Sequence, residues 1–332
     1  MERVLAGIRP TGKLHWGNYF GALQNWVKLQ DQYECFFFIA DWHSLTSEYA
    51  NPSPIKKWTI EVLKDILAAG VDPKKCTLFI QSHVPEHAEL HLLLSMYAPI
   101  GWLERVPTYK EMKQELADKD LSNYGFLGYP VLQSADILLY QASKVPVGED
   151  QVSHLELTRE LIRRFHHLTG REVFVEPQPL LTKTPRVPGM DRRKMSKSFN
   201  NAVWLDDPPE EINAKAMQTL TDPARTHRSI PGNPDVCTVY DYHKLVSDPK
   251  TLKWSNDGCR SAGIGCVECK QAMAKNAVAY FKEFRERKAK LKNETQLFKI
   301  IAEGANRAQK VAAETLGKVK EALGLNYASR SL

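Results

Sequence analysis

The fold is decided by residues 4–29, VLAGIRPTGKLHWGNYFGALQNWVKL. Val4–Ile8 is a short apolar run typical of a buried strand, and residues 9–12 (RPTG) indicate a turn. Trp16–Leu29 then repeats its apolar residues at helical spacing. A buried strand that passes through a turn into a helix is the opening unit of a parallel α/β sheet, so this segment already favours that architecture.

Strand and helix signals alternate beyond this unit. Cys35–Ala40 and Cys76–Gln81 are apolar runs that predict two more buried strands, and Ile55–Ala69 between them has the spacing of a helix. Val145–Val147 indicates a further strand. Because alternating strands and helices favour a parallel sheet with right-handed crossovers, we predict a doubly wound, Rossmann-like α/β fold.

The second part of the chain has a different pattern. Beyond Asp206 the sequence carries no clear strand signal and is helical in character. A length of 332 residues suits two domains. We therefore predict a catalytic α/β domain over residues 1–206, with a helical insertion at about 85–145, and an all-α domain over residues 207–332.

Composition excludes several classes of protein. Charged residues make up 25% and hydrophobic residues 43% of the chain, as in ordinary soluble globular proteins. These values argue against a disordered or collagen-like chain, and the longest apolar run, Cys35–Ala40, is far too short for a membrane helix. Residues 1–4 (MERV) begin no apolar signal segment. We expect a cytoplasmic location and no membrane partner.

Positive charge is concentrated near the C-terminal end. Residues 271–332 hold 13 Lys and Arg against 6 Asp and Glu, whereas residues 1–270 hold 32 against 33. A nearly neutral body with a basic final segment fits a polyanion partner, although a solvated surface helix has the same composition.

Two short segments carry residues suited to phosphate chemistry. In residues 10–18, PTGKLHWGN, the start of the first helix would present N–H groups and a positive dipole end to a phosphate. Gly17 would let a flat ring approach the backbone, and His15 and Asn18 can donate hydrogen bonds, although a lone histidine here can be purely structural. In residues 194–198, KMSKS, two mobile lysine charges can close on a pyrophosphate or form a solvated basic loop.

Four of the six cysteines form a cluster in the sequence with the spacing C-x21-C-x6-C-x2-C: Cys237, Cys259, Cys266 and Cys269. In a reducing cytoplasm such a set favours a metal site over two disulfides. Four thiolates hold either Zn²⁺ or a 4Fe–4S cluster, and the spacing alone leaves both open. Cys35 and Cys76 lie in apolar runs and are predicted to be core residues.

Together, the PTGKLHWGN and KMSKS segments resemble the signatures of class I aminoacyl-tRNA synthetases. Four further segments are similar to tryptophanyl-tRNA synthetases of the bacterial type: GWLER at 101–105, SADILLY at 134–140, VGEDQ at 147–151 and TDPAR at 221–225. The resemblance extends from Val4 to about Leu325. The four C-terminal cysteines resemble those of a subgroup of this family, in which some thermophilic members bind a 4Fe–4S cluster. This resemblance favours iron–sulfur over zinc.

The resemblance also implies roles for individual residues. Asp136 would accept the indole N–H of tryptophan, a donor that needs a fixed acceptor. The other positions expected to bind tryptophan are Tyr129, Gln151 and His43, and His43 is equally well explained as a packed core residue. The expected catalytic residues are Lys194, Lys197, His15 and Asn18. The expected ATP-binding residues are Arg9, Pro10, Thr11, Gly17, Asn18, Gly148, Glu149, Asp150, Val187, Lys194, Met195, Ser196, Lys197 and Ser198.

Three positions depart from the pattern of the family. Asn18 stands where the first signature usually ends in histidine, and Arg9 stands where glutamine is frequent. Gln133 replaces an apolar residue expected one helical turn before Asp136. These differences leave the ATP contact of Arg9 and the pocket wall at Gln133 open.

The reaction implied is activation of L-tryptophan by ATP, with Mg²⁺ as cofactor, followed by transfer to the 3′ end of tRNA(Trp). The helical insertion implies a homodimer, and the basic C-terminal segment implies contact with the anticodon arm of the tRNA. Two other activities stay open: a tyrosyl-tRNA synthetase, and a small-molecule adenylyltransferase without a tRNA partner. A non-catalytic tRNA-binding relative would be expected to have lost the lysines of KMSKS, and both are present.

Overall fold

The computed structural model describes residues 1–107, 109, 120–148, 152–181, 187–197 and 199–327. The predictions for Glu149, Asp150, Gln151 and Ser198 lie outside these described residues. Within them, no helix combines the length and the apolar character needed to cross a membrane.

A parallel sheet forms the centre of the described structure. Its strands are β1 (Arg3–Ile8), β2 (Glu34–Ile39), β3 (Thr77–Ile80), β4 (Lys144–Val147) and β5 (Gln178–Leu181). Their spatial order is β3-β2-β1-β4-β5, and neighbouring strands pair in parallel. The predicted doubly wound α/β fold is confirmed. Because the winding reverses between β1 and β4, a crevice opens beyond the carboxyl ends of these strands, where such sheets bind ligands.

Helices cover both faces of the sheet and make up the part of the chain beyond residue 206. Before that position they are α1 (Trp16–Asn18), continued by a π-helical stretch (Tyr19–Leu23) and α2 (Gln24–Leu29), then α3 (Asp41–Glu48), α4 (Ile55–Ala69), α5 (Glu86–Ser95), α6 (Ile100–Leu103), α7 (Tyr124–Leu127), α8 (Tyr129–Leu139) and α9 (Val152–Thr169). Beyond it they are α10 (Pro209–Gln218), α11 (Thr238–Val246), α12 (Pro249–Arg260), α13 (Cys266–Tyr280), α14 (Lys282–Lys290) and α15 (Glu294–Ala322). Short 3-10 turns lie at Gln81–His83 and Pro234–Val236.

Two hydrophobic cores lie on opposite faces of the sheet. Phe37 and Phe36, which are neighbours in β2, point into different cores because side chains alternate along a strand. Helices beyond residue 206 contribute to both, for example through Phe281 to the first and Val319 to the second. Helix α15 also packs on β3. Hydrophobic packing therefore continues across the position at which the secondary structure changes from α/β to helical.

Candidate active site

Residues from four separate segments converge at the carboxyl edge of the sheet. Arg9 follows β1, His43 lies in α3 directly after β2, Gln81 follows β3, and Gly148 follows β4. Parallel strands bring their carboxyl ends to one edge, so residues far apart in sequence become neighbours there. Asp136 reaches the same edge from α8, where it contacts His43 and Gln81.

Asp136 is a buried carboxylate held by three side chains. Its Oδ2 lies 2.7 Å from His43 Nε2. Its Oδ1 accepts from Gln81 Nε2 at 2.7 Å and lies 2.6 Å from His87 Nδ1. Burial alone would raise the pKa of Asp136, but the contacts with His43 and His87 outweigh burial and lower it. The group is therefore ionised at neutral pH and acts as a hydrogen-bond acceptor.

The residues behind Asp136 were missed by the sequence analysis. His87 is also 2.7 Å, through Nε2, from the hydroxyl of Tyr140. Gln81, His87 and Tyr140 are each fully buried. The sequence offered one signal of this group: Gln81 is a polar residue at the end of an otherwise apolar strand segment. His87 and Tyr140 had no comparable signal.

Helix α3 joins the surroundings of Asp136 to the first signature segment. Its Ser44 hydroxyl donates to the carbonyl of Pro10 at 3.2 Å, and Arg9 Nη2 donates to Ser47 Oγ at 2.5 Å. Burial lowers the pKa of Arg9, while nearby Glu48 and Tyr129 act in the opposite direction. Arg9 thus lies between the first signature and Tyr129, which the sequence analysis assigned to tryptophan binding.

His15 and Asn18 cap the helix that follows the first signature. The Asn18 backbone N–H donates to His15 Nδ1 at 3.3 Å, and the His15 N–H donates to Asn18 Oδ1 at 3.1 Å. Burial lowers the pKa of His15 to about 4, and the charge of Lys197 acts in the same direction. His15 is therefore neutral at pH 7, and since Nδ1 accepts, the ring hydrogen is on Nε2.

The second signature segment lies directly against the first. Lys197 Nζ donates to Thr11 Oγ1 at 3.1 Å. A side-chain carbon added at Gly17 would lie 2.9 Å from the His15 ring and 3.7 Å from Met195 Cβ, so glycine permits this close approach. Burial lowers the pKa of Lys197 to about 8; Asp65 partly opposes this shift, and Arg9 adds to it. The structure thus brings together signatures that are more than 180 positions apart.

Backbone and side-chain hydrogen bonds hold the second signature in place. Downstream of it, Trp16 N–H donates to the Val203 carbonyl at 3.0 Å, and Leu205 N–H donates to the Leu14 carbonyl at 3.1 Å. Within the loop, Asn201 accepts from Ser196 N–H at 2.9 Å and donates to the Lys194 carbonyl at 3.1 Å. The backbone of the loop is therefore held at these positions.

Val187 lies seven residues before the second signature segment, which begins at Lys194. It is buried and forms part of the wall of a cavity of about 470 Å³ that Arg192, Lys194 and Lys244 also line. Pro188, the next residue, pairs with Lys194 in an antiparallel bridge. The predicted adenine contact thus lies beside the predicted phosphate contacts.

Gln133, which departs from the family pattern, has a polar partner. His154 Nδ1 lies 2.6 Å from Gln133 Oε1, and the His154 ring packs against Tyr129. The amide is therefore accommodated by a hydrogen bond and remains next to a residue predicted to bind substrate.

The four clustered cysteines lie around the ends of three helices beyond residue 206. Cys237 precedes α11, Cys259 is near the end of α12, and Cys266 and Cys269 lie in the first turn of α13. Burial raises the pKa of Cys269 to about 12, and each of the other three thiols acts in the same direction, so all four lie within electrostatic reach. No three or more His, Cys, Asp or Glu side chains in the described parts of the chain form a group that could hold a metal ion.

Comparison with known proteins now identifies the family. The model of the family "tRNA synthetases class I (W and Y)" matches residues 1–282. The chain is 49% identical to the tryptophan–tRNA ligase of Thermotoga maritima, with 98% of this chain and 100% of the relative covered. It is 45% identical to that of Ralstonia nicotianae, with 98% and 99% covered. The chain therefore belongs to the class I tRNA synthetases for tryptophan and tyrosine.

A solved structure supports the narrower placement. The crystal structure of tryptophanyl-tRNA synthetase from Campylobacter jejuni, complexed with ADP and tryptophan, superimposes with a TM-score of 0.87 at 33% identity. The match covers 97% of this chain and 100% of that one. Within its class, the chain thus groups with the tryptophan–tRNA ligases.

Proposed function

We propose that this chain activates L-tryptophan with ATP to give tryptophanyl-adenylate and pyrophosphate, and then transfers tryptophan to the 3′ end of tRNA(Trp). The observation that carries this proposal is the buried, ionised Asp136, whose position is set by His43, Gln81 and His87. An indole N–H can only donate, and a fixed carboxylate at the sheet edge is a suitable acceptor. Tyr129 and Gln151 complete the proposed tryptophan site.

In the first step, the tryptophan carboxylate attacks the α-phosphorus in line, and the bond to the oxygen of the leaving pyrophosphate breaks. No general base is needed, because a carboxylate is already ionised at neutral pH. Catalysis then rests on positioning and on stabilising charge. Lys194 and Lys197 would neutralise charge on the pyrophosphate, and the Nε2–H of neutral His15 would donate to a phosphate oxygen.

The other ATP contacts follow the two signatures. Pro10, Thr11, Gly17 and Asn18 come from the first, with Arg9 directly before it, and Met195, Ser196 and Ser198 come from the second. Val187 would meet the adenine, and Gly148, Glu149 and Asp150 would meet the ribose. Mg²⁺, which supplies charge neutralisation when bound, commonly binds through substrate phosphates and waters. That mode needs no dedicated cage of protein ligands.

Amino-acid-dependent pyrophosphate exchange tests this assignment. We expect exchange with tryptophan and at least ~10²-fold weaker exchange with tyrosine or phenylalanine, since phenylalanine has no donor for the buried Asp136 and the hydroxyl of tyrosine lies at a different position from the indole N–H. Faster exchange with tyrosine would favour the tyrosyl-tRNA synthetase alternative. Exchange without charging of tRNA(Trp) would favour an adenylyltransferase.

We propose a division of labour between residues 1–206, which perform the chemistry, and residues 207–332, which bind the anticodon arm. The basic segment 271–332 supports this, but part of its charge is used internally. Arg287 Nε donates to the Ala68 carbonyl at 2.6 Å, and Arg307 donates to two carbonyls near β3. Lys275 and Lys282 are exposed, and although Lys282 Nζ lies 3.9 Å from Glu286 Oε1, this exposed pair leaves the lysine accessible to tRNA phosphates.

Salt titration of tRNA binding tests this assignment. We expect Lys282→Ala to weaken binding and to reduce the slope of log K against log salt by about one phosphate contact. Lys28→Ala, an exposed lysine of α2, is the matched control. Equal slopes for both variants would remove Lys282 from the proposed docking surface.

We propose that Cys237, Cys259, Cys266 and Cys269 hold a 4Fe–4S cluster. A single Zn²⁺ needs sulfur atoms about 2.3 Å from the metal, which brings thiols close to one another. A 4Fe–4S cluster binds each thiolate through a different iron. The four thiols lie within electrostatic reach of one another, and the preference for the cluster over zinc rests on the resemblance to family members with a similar cysteine set.

The surroundings of Cys259 also fit an anionic cluster. Arg225 is buried, its Nη1 donates to Cys259 Sγ at 3.8 Å, and its Nε is without a hydrogen-bond partner among the described residues. A side chain at Gly232 would meet Cys259 Sγ at 2.6 Å, so only glycine leaves this space open. A buried cation beside a thiolate stabilises negative charge.

Anaerobic purification tests the cluster. We expect a brown protein with absorbance near ~400 nm, typical of such clusters, and with iron and sulfide but little zinc. Cys259→Ser should lose this absorbance, whereas Cys35→Ala, in the core of β2, should keep it. A colourless protein that contains zinc would establish the alternative, and one without either metal would exclude both.

We propose that the chain forms a homodimer in the cytoplasm. Large apolar side chains are exposed near the helical insertion: Leu92, Met96, Ile100 and Tyr124. Exposed apolar patches of this kind commonly mark protein interfaces. Sedimentation of the wild type should give a dimer, and Met96→Lys should shift it toward monomer, unlike Leu168→Lys on α9. A monomeric wild type at micromolar concentration would overturn the proposal.

A further inference from the structure

Behind Asp136, two buried residues form a chain of hydrogen bonds that leads away from the proposed substrate site. Tyr140 contacts His87, and His87 contacts Asp136. Resting on the proposed tryptophan site, we propose that Tyr140 and His87 are positioning residues that assign one oxygen of Asp136 to the protein and leave the other for the indole. They would thereby set the selectivity for tryptophan.

The direction of these two hydrogen bonds follows from the groups at their ends, Tyr140 and Asp136. Burial raises the pKa of Tyr140 well above its ordinary value, with Asp136 and Glu86 acting in the same direction, so the hydroxyl keeps its hydrogen. The ionised Asp136 carboxylate can only accept, so the ring hydrogen of His87 is on Nδ1, which donates to Asp136 Oδ1 at 2.6 Å. Nε2 then accepts from the Tyr140 hydroxyl at 2.7 Å.

The two oxygens of Asp136 are consequently unequal. Oδ1 accepts from both His87 and Gln81, which satisfies an oxygen with two lone pairs. Oδ2 has the His43 contact at 2.7 Å. His43 lies in α3 at the sheet edge and its side chain is 10% exposed, whereas that of His87 is 0% exposed. The indole N–H therefore meets Oδ2, beside His43 or in its place.

Removing the tyrosine hydroxyl should release this arrangement. In Tyr140→Phe, His87 Nε2 loses its donor, and the ring loses one of the two hydrogen bonds that fix its orientation. The ring can then turn, the contact from Nδ1 to Oδ1 weakens, and the carboxylate can rotate. The acceptor for the indole would become poorly aligned, while the ATP contacts would be unaffected.

The probe is 3-(benzothiophen-3-yl)alanine, in which sulfur replaces the indole N–H without a large change of shape. Pyrophosphate exchange gives the ratio of kcat/KM for tryptophan to that for the analogue. We expect the ratio to fall about tenfold in Tyr140→Phe, mainly through the KM for tryptophan, as for a weakened hydrogen bond to a charged group. Values for the analogue and the KM for ATP should stay at the wild-type level. Tyr97→Phe, which removes a hydroxyl elsewhere in the same core, is the control.

A second variant separates positioning from folding. The amide nitrogen of asparagine can take the place of histidine Nδ1, so His87→Asn should keep the donor to Oδ1 without needing the tyrosine. We expect His87→Asn to retain most of the ratio, and Tyr140→Phe to have no further effect in that background. A folded Tyr140→Phe with the wild-type ratio, or additive effects in the double variant, would overturn the proposal. A wild-type ratio near one would instead refute Asp136 as the indole acceptor.

Discussion

Lys197 should make ATP use depend on pH in a way that reports its own protonation. The side chain is partly buried between the two signatures and donates to Thr11 Oγ1 at 3.1 Å. Burial, reinforced by Arg9, lowers its pKa to about 8, although Asp65 acts in the opposite direction. The lowered value means that the cation is present below about pH 8 and is lost as pH rises above it.

The size of the effect follows from this pKa. With a pKa of about 8, the cation outnumbers the neutral amine about tenfold at pH 7, and the ratio is inverted at pH 9. If only the cation binds the polyphosphate productively, kcat/KM for ATP falls about tenfold for each pH unit above the pKa. Bound polyphosphate raises the pKa of a nearby lysine, so kcat should decline at higher pH than kcat/KM.

Pyrophosphate exchange between pH 6.5 and 9.5 measures the profile, with ATP varied and tryptophan saturating. Lys197→Arg should flatten the decline, because a guanidinium stays charged over this range. Lys197→Ala should lower adenylate formation by a factor of ~10² or more below about pH 8, as for loss of one strong contact in the transition state, and its deficit should shrink at higher pH. Lys28→Arg should follow the wild-type curve. Parallel curves for wild type and Lys197→Arg, or near-normal exchange in Lys197→Ala, would refute the reasoning.

Three further substitutions have defined outcomes. In Asp136→Asn, an amide N–H faces Gln81 and His87, which are themselves donors. We therefore expect kcat/KM for tryptophan to fall about 10²-fold in the exchange assay and the selectivity over phenylalanine to be lost. Arg9→Ala removes a charge beside the first signature, and the KM for ATP should rise about tenfold; an unchanged KM would exclude an ATP contact. Lys288→Met leaves Asp65 buried without its partner at 2.6 Å, and urea unfolding should show a loss of about 3–5 kcal/mol that Asp65→Asn partly restores.

The fold was largely predictable because its signals are local. A buried strand, a turn and an amphipathic helix each leave a pattern within a short window, and helix α4 (Ile55–Ala69) begins and ends as its apolar spacing indicated. The rule that parallel sheets bind ligands at their carboxyl edge then places the residues after β1 in the crevice. The π-helical stretch Tyr19–Leu23 was not predicted, since its apolar spacing does not differ enough from that of an α-helix.

The surroundings of Asp136 could not be predicted in the same way. Its contacts with His43, Gln81 and His87 span 93, 55 and 49 positions, and no local pattern reports such distances. Each partner by itself is compatible with ordinary burial: a polar end of a strand, or a histidine in a helix. These partners lie in α3, in the turn after β3 and in α5. They form one hydrogen-bonded group only because these segments pack around Asp136 in α8.

The net charge of residues 271–332 predicted a basic surface, but it did not show which of the cations form ion pairs inside the protein. Lys288, in α14, pairs with Asp65 at 2.6 Å and Asp206 at 2.9 Å, so its charge is consumed inside the protein. Asp65 also accepts from the backbone N–H of Leu14 at 3.3 Å, directly after the turn of the first signature. Burial raises the pKa of Asp65 to about 6 even though Lys288 acts in the opposite direction. The attraction between the two charges therefore offsets the cost of burial only while their close contact is kept. One lysine of the basic segment therefore supports the proposed active site, and the charge available for a polyanion is smaller than the count suggests.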